Sequence, residues 1–313
     1  MNYTTGFYPE GSLIDTPENR YYLQSRQNLT EAMLQNRILE ARATICTTAH
    51  DLIVELGCMK GIIPRNEGAV GIADGSVRDI ALISRVNKPV CFRVTSFTRD
   101  DNGSAVAVLS RRAVQEDCMR LYTGRLAPGD IIPAQVTHME QFGCFADIGC
   151  GLISLLPIDL ISISRISHPA DRFRVGQNIF AVVRSVENGR ITLSHKELLG
   201  TWEQNAAGFS CGETVAGIVR SVESYGVFVE LTPNLAGLAE LREGISAGQH
   251  ASVYIKSMIP EKMKIKLIIV DCFDAHYKPA PPDYRLTDGH ISRWRYSPEC
   301  CRKVLETVFD EKA

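Results

Sequence analysis

Short runs of apolar and β-branched residues, separated by polar turns, dominate the middle of this chain. Five such runs occur between residues 128 and 199, and the turns between them are rich in Gly, Asp and Asn. Five short strands within about 70 residues predict a small antiparallel barrel rather than an α/β unit.

The same pattern is repeated along the chain. The runs Gly129-Asp130-Ile131 and Phe142-Gly143-Cys144-Phe145 return 83 residues later as Gly212-Glu213-Thr214 and Tyr225-Gly226-Val227-Phe228. A weaker copy lies upstream and ends in Leu109-Ser110-Arg111-Arg112. Repetition of one small unit predicts tandem domains that share a fold.

The motifs of the central copy resemble those of the S1 RNA-binding domain, an OB-fold barrel. That family has Gly-Asp at the first strand, Phe-Gly-x-Phe at the second and Gly-Leu-Ile at the third. It continues with Gly-Gln before the fourth strand and Arg-Ile-x-Leu-Ser on the fifth. All five motifs are present in order, at residues 129–130, 142–145, 151–153, 176–177 and 190–194. Each motif is weak alone, and their combination is specific.

The resemblance implies a mainly β protein of three tandem five-stranded S1-type OB-fold barrels joined by short helices, with helical N- and C-terminal extensions. The predicted domains are an N-terminal helical extension (1–37), a degenerate S1-like barrel (38–113), a helical linker (114–127), the central S1 barrel (128–199), a linker (200–210), a third S1 barrel (211–273) and a C-terminal proline-rich strap and helix (274–313).

Both predicted terminal helices rest on the same signal, a cap residue followed by proline and an acid. Thr16-Pro17-Glu18 starts a helix that is capped again at Thr30 and runs to about Asn36. Ser297-Pro298-Glu299 starts a last helix that runs to about Phe309. Between them, the proline-rich residues 278–283 predict an extended strap or spacer.

Composition narrows the functional classes. The chain has 313 residues, a net charge of −2 and ten cysteines, none in a Cys-x-x-Cys pair. This spacing argues against a zinc site and favours buried thiols in a reducing cytoplasm. The net charge limits phosphate neutralisation, so RNA binding would rest on local basic residues and on base stacking, which suits single strands.

In the S1 family, RNA contacts the two aromatics of Phe-Gly-x-Phe, a His on the third strand, and an acid and a base near the fifth. Carried over to the central copy, these positions hold Phe142, Phe145, Ser154 in place of the His, Glu187 and Arg190. We expect both rings on the exposed face of the second strand, with Arg190 on the neighbouring edge. An aromatic pair in a barrel can equally belong to the core. The three histidines His138, His168 and His195 are interpreted as isolated surface residues.

The third copy keeps Tyr225 and Phe228 and carries Lys262, Lys264 and Lys266 on its fifth strand. Alternate residues of a strand share one face, so the lysines predict a track for phosphates or a solvated outer face. The first copy has His50 and Ile53 at the aromatic positions, which removes the stacking surface.

The resulting hypothesis is a non-enzymatic, cytoplasmic protein that binds single-stranded RNA without a cofactor. By resemblance to the ribosomal protein S1 family, its RNA would be mRNA held at the small ribosomal subunit. The first copy would contact proteins of that subunit. Two alternatives remain open: a regulatory RNA-binding protein that acts off the ribosome, and an OB-fold scaffold for proteins. Outside the barrels only about 40 residues lie at each end, too few for a catalytic domain.

Overall fold

The structure of the protein, a computed structural model, describes residues 6–275 and 277–309. It contains three closed five-stranded barrels with one shared topology, in which the third and fifth strands of each barrel run parallel to each other. The prediction of three tandem barrels is therefore confirmed. No helix in the described ranges is long and apolar enough to cross a membrane.

The strands of each barrel lie inside the domain limits expected from the repeats. The first barrel comprises β1 (Leu39–Cys46), β2 (Leu52–Glu55), β3 (Lys60–Ile63), β4 (Pro89–Arg99) and β5 (Ala105–Ser110). The central barrel comprises β6 (Ile131–Glu140), β7 (Gly143–Asp147), β8 (Ile153–Pro157), β9 (Asn178–Glu187) and β10 (Arg190–Ser194). The third barrel comprises β11 (Thr214–Glu223), β12 (Gly226–Thr232), β13 (Leu235–Ala239), β14 (His250–Ile259) and β15 (Lys264–Phe273).

The barrels do not correspond to the compact units of the chain, of which there are two. The first unit contains residues up to 126 together with 147–153, which comprise the connection between β7 and β8 and one residue of each strand. The second contains residues 127–146 and all residues from 154 onward. The central and third barrels therefore form one compact body.

Two short helices pack against the first barrel. They are α1 (Pro17–Leu23), capped by Thr16 as predicted, and α2 (Arg26–Leu34), capped by Ser25 rather than by Thr30. Tyr22 and Leu29 are buried with the barrel residues of the same core. Two further helices, α3 (Ile80–Ile83) and α4 (Arg112–Leu121), complete this unit.

A buried ion pair fixes the N-terminal arm in the first unit. Both oxygens of the Glu10 carboxylate accept hydrogen bonds from Arg111, at 2.6 and 3.0 Å, and Arg85 lies 3.1 Å away. The side chains of Glu10 and Arg111 are each only 4% exposed. The backbone N–H of Glu10 donates to Asp147 at 2.8 Å, and burial raises the pKa of Asp147 to about 7.

In the second unit, the central and third barrels share a hydrophobic core. Val182 of β9 and Val229 of β12 belong to one cluster with Trp202, which begins the linker helix α5 (Trp202–Ala206). Trp294 and Tyr296, from the C-terminal segment, belong to the same cluster. The C-terminal segment thus completes the core between the two barrels.

Asn234, in the turn between β12 and β13, connects the two barrels by hydrogen bonds. Its side-chain oxygen accepts from the N–H of Ile163 at 3.0 Å, and its amide donates to the carbonyls of Lys196 and Gly200 at 2.8 and 3.0 Å. Its own carbonyl accepts from the Tyr296 hydroxyl at 2.5 Å. The residue is fully buried.

The predicted C-terminal helix is wrong. Residues after Ser297 form turns and then β17 (Glu306–Val308), which pairs antiparallel with β16 (Arg293–Arg295). The hydroxyl of Ser297 accepts from the N–H of Leu305 instead of capping a helix. Thr307 and Val308 are β-branched and favour a strand, and Thr307 also donates a hydrogen bond to the buried Glu197, which follows β10. Tertiary packing overrides the local helix signal.

The strap that precedes this hairpin is anchored by His195, which is buried and not at the surface as the sequence suggested. The Nδ1 of His195 lies 2.9 Å from the carbonyl of Ile161, so this nitrogen carries the proton. The Nε2 atom then accepts from the Tyr284 hydroxyl at 3.1 Å, which itself accepts from the N–H of Phe180. This chain of bonds requires a neutral imidazole.

We expect the stability of the second unit to fall as the pH is lowered from about 6.5 to about 4. Burial lowers the pKa of His195 to about 4, so below its ordinary value the unfolded chain takes up a proton that the folded chain excludes. The loss amounts to about 3 kcal/mol, because one pKa unit corresponds to about 1.4 kcal/mol. Urea unfolding from pH 7 to pH 4 measures it. Nitrogen NMR of the His195 ring at pH 6 provides the control, and a charged ring there would contradict the argument.

Candidate nucleic-acid interface

The central barrel exposes two aromatic rings next to each other. Phe142 lies in the turn that joins β6 to β7 and is 56% exposed, whereas Phe145 lies on β7 and is half-buried. Their ring centroids are 6.0 Å apart and the rings are nearly perpendicular, at 87°. The two rings are close together as expected, but only Phe145 belongs to the second strand.

The glycine between the rings allows the close approach of two strands. A Cβ atom on Gly143 would lie 2.5 Å from the carbonyl oxygen of Leu156 on β8, so any other residue would force the strands apart. Gly226 of the third barrel has the same role, since its Cβ would lie 2.6 Å from the carbonyl of Ala239. The Gly of the aromatic motif is therefore a structural requirement of the strand pair.

A third ring, that of a histidine expected from the sequence to be isolated, extends this surface. The ring of His138, on β6, stacks on Phe145 with centroids 6.1 Å apart and planes at 22°. Its Nε2 lies 2.7 Å from Glu140. A hairpin with a two-residue turn at 141–142 places residue 138 directly opposite residue 145. The contact between His138 and Phe145 could therefore have been predicted from the hairpin register.

Arg190 lies on the same outer face as Phe145, one strand further away than expected. The bond from Ile158 N to Phe142 O sets a register in which Leu155 of β8 lies opposite Phe145, and Thr192 of β10 pairs with Leu155. Arg190 precedes Thr192 by two residues and so shares its face. Because β8 intervenes, the strand that carries Arg190 is about 10 Å from β7.

The remaining two predicted residues of the central barrel differ in exposure. Glu187 is exposed and pairs with Arg190 across the turn between β9 and β10. Ser154 is only 5% exposed, because on β8 its neighbours Ile153 and Leu155 face outward and Ser154 faces the barrel interior. The structure therefore does not place Ser154 on the RNA-facing surface that its position in the motif implies.

The third barrel repeats the aromatic geometry. Tyr225, in the turn before β12, is 67% exposed, and its ring lies 6.0 Å from that of Phe228 at 88°. Phe228 pairs with Leu238 of β13, which pairs with Lys266 of β15. Lys266 therefore lies on the same outer face as the ring of Phe228, at the position that Thr192 occupies in the central barrel.

The row of lysines in the third barrel is shorter than predicted. Lys264 and Lys266 are exposed on β15 and alternate with the buried Ile265 and Leu267. Lys262 belongs to a short turn that ends at Met263, whose φ of 50° is left-handed, so Lys262 is not part of the strand. The face retains two lysines.

The first barrel has an aliphatic surface at the equivalent position. Ile53 pairs with Ile45 on one side and Ile62 on the other, and Ile62 pairs with Val108. His50 lies in the preceding turn, 3.8 Å from Asp79. Neither motif position of this barrel carries Phe, Tyr or Trp.

Comparison with known proteins agrees with this architecture. Residues 125–196 match the family model of the S1 RNA binding domain. The chain is 28% identical over 260 residues to small ribosomal subunit protein bS1 of Leuconostoc lactis. It is a homologue of the S1-type ribosomal proteins.

The matches cover only part of this chain and only part of each relative. The Leuconostoc match covers 77% of this chain and 58% of that protein. The protein of the same name from Staphylococcus aureus (strain COL) is 26% identical over 274 residues, 82% of this chain and 66% of its own length. The chain thus spans about three fifths to two thirds of these S1-type relatives.

Among solved structures, a multidomain protein with nucleic acid binding domains from Streptococcus pneumoniae TIGR4 shares 12% identity. The match covers 75% of this chain and 73% of that one, and its TM-score of 0.25 is too low to support an argument about arrangement.

Proposed function

We propose that this S1-type homologue binds single-stranded RNA through the outer faces of its central and third barrels. The observation that carries the proposal is the repeated aromatic geometry. In each barrel one exposed ring and one half-buried ring lie 6.0 Å apart. On the same outer face, the fifth strand carries a basic residue, which is Arg190 in the central barrel and Lys264 in the third barrel.

The chemistry of this surface favours unpaired RNA. Exposed rings stack on the face of a base, which a duplex keeps inside its own stack. The net charge of −2 limits how many phosphates the protein can neutralise, so the salt dependence of binding should be modest. Stacking does not distinguish the bases strongly, and the preference for sequence should be weak.

The finer role we propose is to hold unstructured mRNA at the small ribosomal subunit, in the cytoplasm and without catalysis. Two relatives with the name of a small-subunit protein support this role. The first barrel would contact protein, since its outer face presents Ile45, which is 55% exposed, opposite Ile53, which replaces a stacking ring. Co-sedimentation with ribosomes separates this role from that of a regulator that acts elsewhere.

We expect Phe142→Ala to weaken binding of an unstructured RNA oligomer about tenfold to a hundredfold. Stacking contributes roughly 1–3 kcal/mol per base, and 1.4 kcal/mol corresponds to a factor of ten. The melting temperature should barely change, since Phe142 is already 56% exposed. Fluorescence anisotropy with a labelled oligomer, and with a hairpin stem as competitor, measures affinity and strand preference together.

The matched control is Tyr21→Ala, which removes a similarly exposed ring from α1 of the first unit. RNA affinity should not change in this variant. Equal affinity of the wild type for stem and oligomer would contradict the proposed function. A large loss of stability in Phe142→Ala would show instead that this ring is structural.

A further inference from the structure

A cavity of about 570 Å³ lies in the second unit, and neither aromatic pair of the RNA-binding faces lines it. Its walls come from the central barrel, the linker, the third barrel and the proline-rich strap, represented by Arg172, Gln204, Ala216 and Pro281. Pockets of 300–1,000 Å³ at the junction of domains are typical sites for small organic ligands. The RNA-binding faces described above leave this cavity unused.

The wall of the cavity contains a buried polar atom without a partner. The side chain of Arg172 is 8% exposed, and its terminal nitrogen bonds to Glu230 and lies 3.4 Å from the Ser162 hydroxyl. Its Nε has no acceptor within the described residues. A buried N–H without an acceptor costs free energy, so a ligand that offers an acceptor would gain from binding here.

The charges around the cavity balance. Three carboxylates line it, from Asp171, Glu230 and Asp283, with two guanidinium groups, from Arg172 and Arg285. A third guanidinium group, that of Arg220, donates two hydrogen bonds to Glu230, at 2.8 and 3.1 Å, and lies 3.6 Å from Asp171. The cavity therefore offers an anion no net positive charge, which favours an uncharged ligand, and the group of Arg172 left for such a ligand is its Nε–H.

The other walls combine apolar and polar groups. Phe173 and Phe209 contribute rings, the strap contributes the prolines at 279, 281 and 282, and Gln204 and Asn205 contribute side-chain amides. Rings and prolines together with amide groups and an unpaired N–H fit an uncharged planar heterocycle, which is apolar on its faces and polar at its edge. We propose that this cavity binds a nucleobase, with Arg172 Nε donating to a carbonyl oxygen or a ring nitrogen of the base.

The proline-rich strap covers one side of the cavity and is held there by few hydrogen bonds. At one end Tyr284 is held by the buried His195, and at the other the ring of Tyr277 lies 4.8 Å from that of His250. Between them the carbonyl of Pro279 accepts one bond from Arg174 at 3.2 Å. The prolines have no N–H to donate, so lifting this stretch breaks few hydrogen bonds. A ligand can enter here without unfolding either barrel.

The test is a titration of the full chain with adenosine, guanosine, cytidine and uridine, followed by ligand-observed NMR, with ribose as the negative control. Ala216 is exposed on β11 and lines the cavity, so Ala216→Trp fills it without removing a core residue. At least one nucleoside should bind saturably to the wild type and at least tenfold more weakly to Ala216→Trp. Ala216→Ser and Phe142→Ala should bind it as the wild type does.

A second variant tests the cavity independently, so that the result does not depend on correct folding of Ala216→Trp. Arg172→Lys retains the positive charge beside Glu230 but has no Nε, and it should also weaken nucleoside binding at least tenfold. Absence of saturable binding to the wild type would overturn the proposal, as would nucleoside binding that neither variant changes.

Binding of an RNA oligomer distinguishes the two possible sources of the base, a bound RNA strand and a free nucleoside. Weaker oligomer binding by Ala216→Trp identifies a base of the bound strand as the occupant. Unchanged oligomer binding, together with the loss of nucleoside binding, identifies a free nucleoside. Because Phe142→Ala affects only the aromatic face, failure of the cavity proposal and failure of the proposed RNA interface give different results.

Discussion

Replacing Glu10 by glutamine is expected to lower the free energy of unfolding of the first unit by about 3–5 kcal/mol, because it leaves a buried guanidinium group without its counter-charge. Arg111 is 4% exposed and would retain a bond to the carbonyl of Gly68. Glutamine has nearly the shape of glutamate, so packing is preserved and the charge alone is tested. Urea unfolding followed by circular dichroism measures the change.

Glu116→Gln is the matched control for this variant. Glu116 pairs with Arg112 on the exposed side of α4 and is 52% exposed. Exposed pairs contribute little, so the expected change is below about 0.5 kcal/mol. Similar effects of the two substitutions would contradict the assignment of the Glu10 pair as the anchor of the N-terminal arm.

Replacing Asn234 by alanine is expected to destabilise the second unit by about 3 kcal/mol. The change leaves the buried carbonyl of Gly200, and the partly buried N–H of Ile163 and carbonyl of Lys196, without their partners. A buried group left in this way costs about 1–3 kcal/mol, and a partly buried one costs less because water can reach it. Because these groups belong to the central barrel and the linker, the substitution should loosen the contact between the barrels. Hydrogen exchange at Ile163 and thermal unfolding together measure this.

Asn178→Ala provides the comparison, since Asn178 is exposed and bonds to the side chain of Gln135. Surface substitutions of this kind change stability by about 0.5 kcal/mol or less. Should Asn234→Ala unfold at the same temperature as Asn178→Ala, the hydrogen bonds of Asn234 would not be what holds the barrels together.

The barrels could be predicted because their signals are local. Alternation, turn glycines and the repeated aromatic motif each lie within a few residues, and β15 shows the period of two almost without interruption. The C-terminal segment could not be predicted in this way. The burial of Trp294 and Tyr296 depends on two barrels that are distant in sequence, and that packing replaces a helix that local capping residues favour.

The residues of the candidate site likewise divide into those whose exposure the sequence predicts and those whose exposure it does not. Exposure of Phe142 and Tyr225 follows from their place in short turns, which the motif itself marks. The depth of Ser154 depends on the phase of alternation along β8, and motif position alone does not set that phase. The alternation of lysines predicts Lys262 on a strand, because the sequence does not reveal that Met263 adopts a left-handed turn.

The pairing of the central barrel with the C-terminal segment sets the order in which the protein can mature during its synthesis. Ile131 donates its N–H to the carbonyl of Gly289, and Ile291 donates to the carbonyl of Gly129. Asp130 and His290, between these pairs, are 160 residues apart in the sequence. At about 5–20 residues per second, the ribosome needs roughly 8–32 s to make the intervening chain. Throughout that interval the start of β6 lacks its hydrogen-bond partners from the C-terminal segment, and Ile131 lacks the side chains of that segment, such as Trp294, that share its cluster.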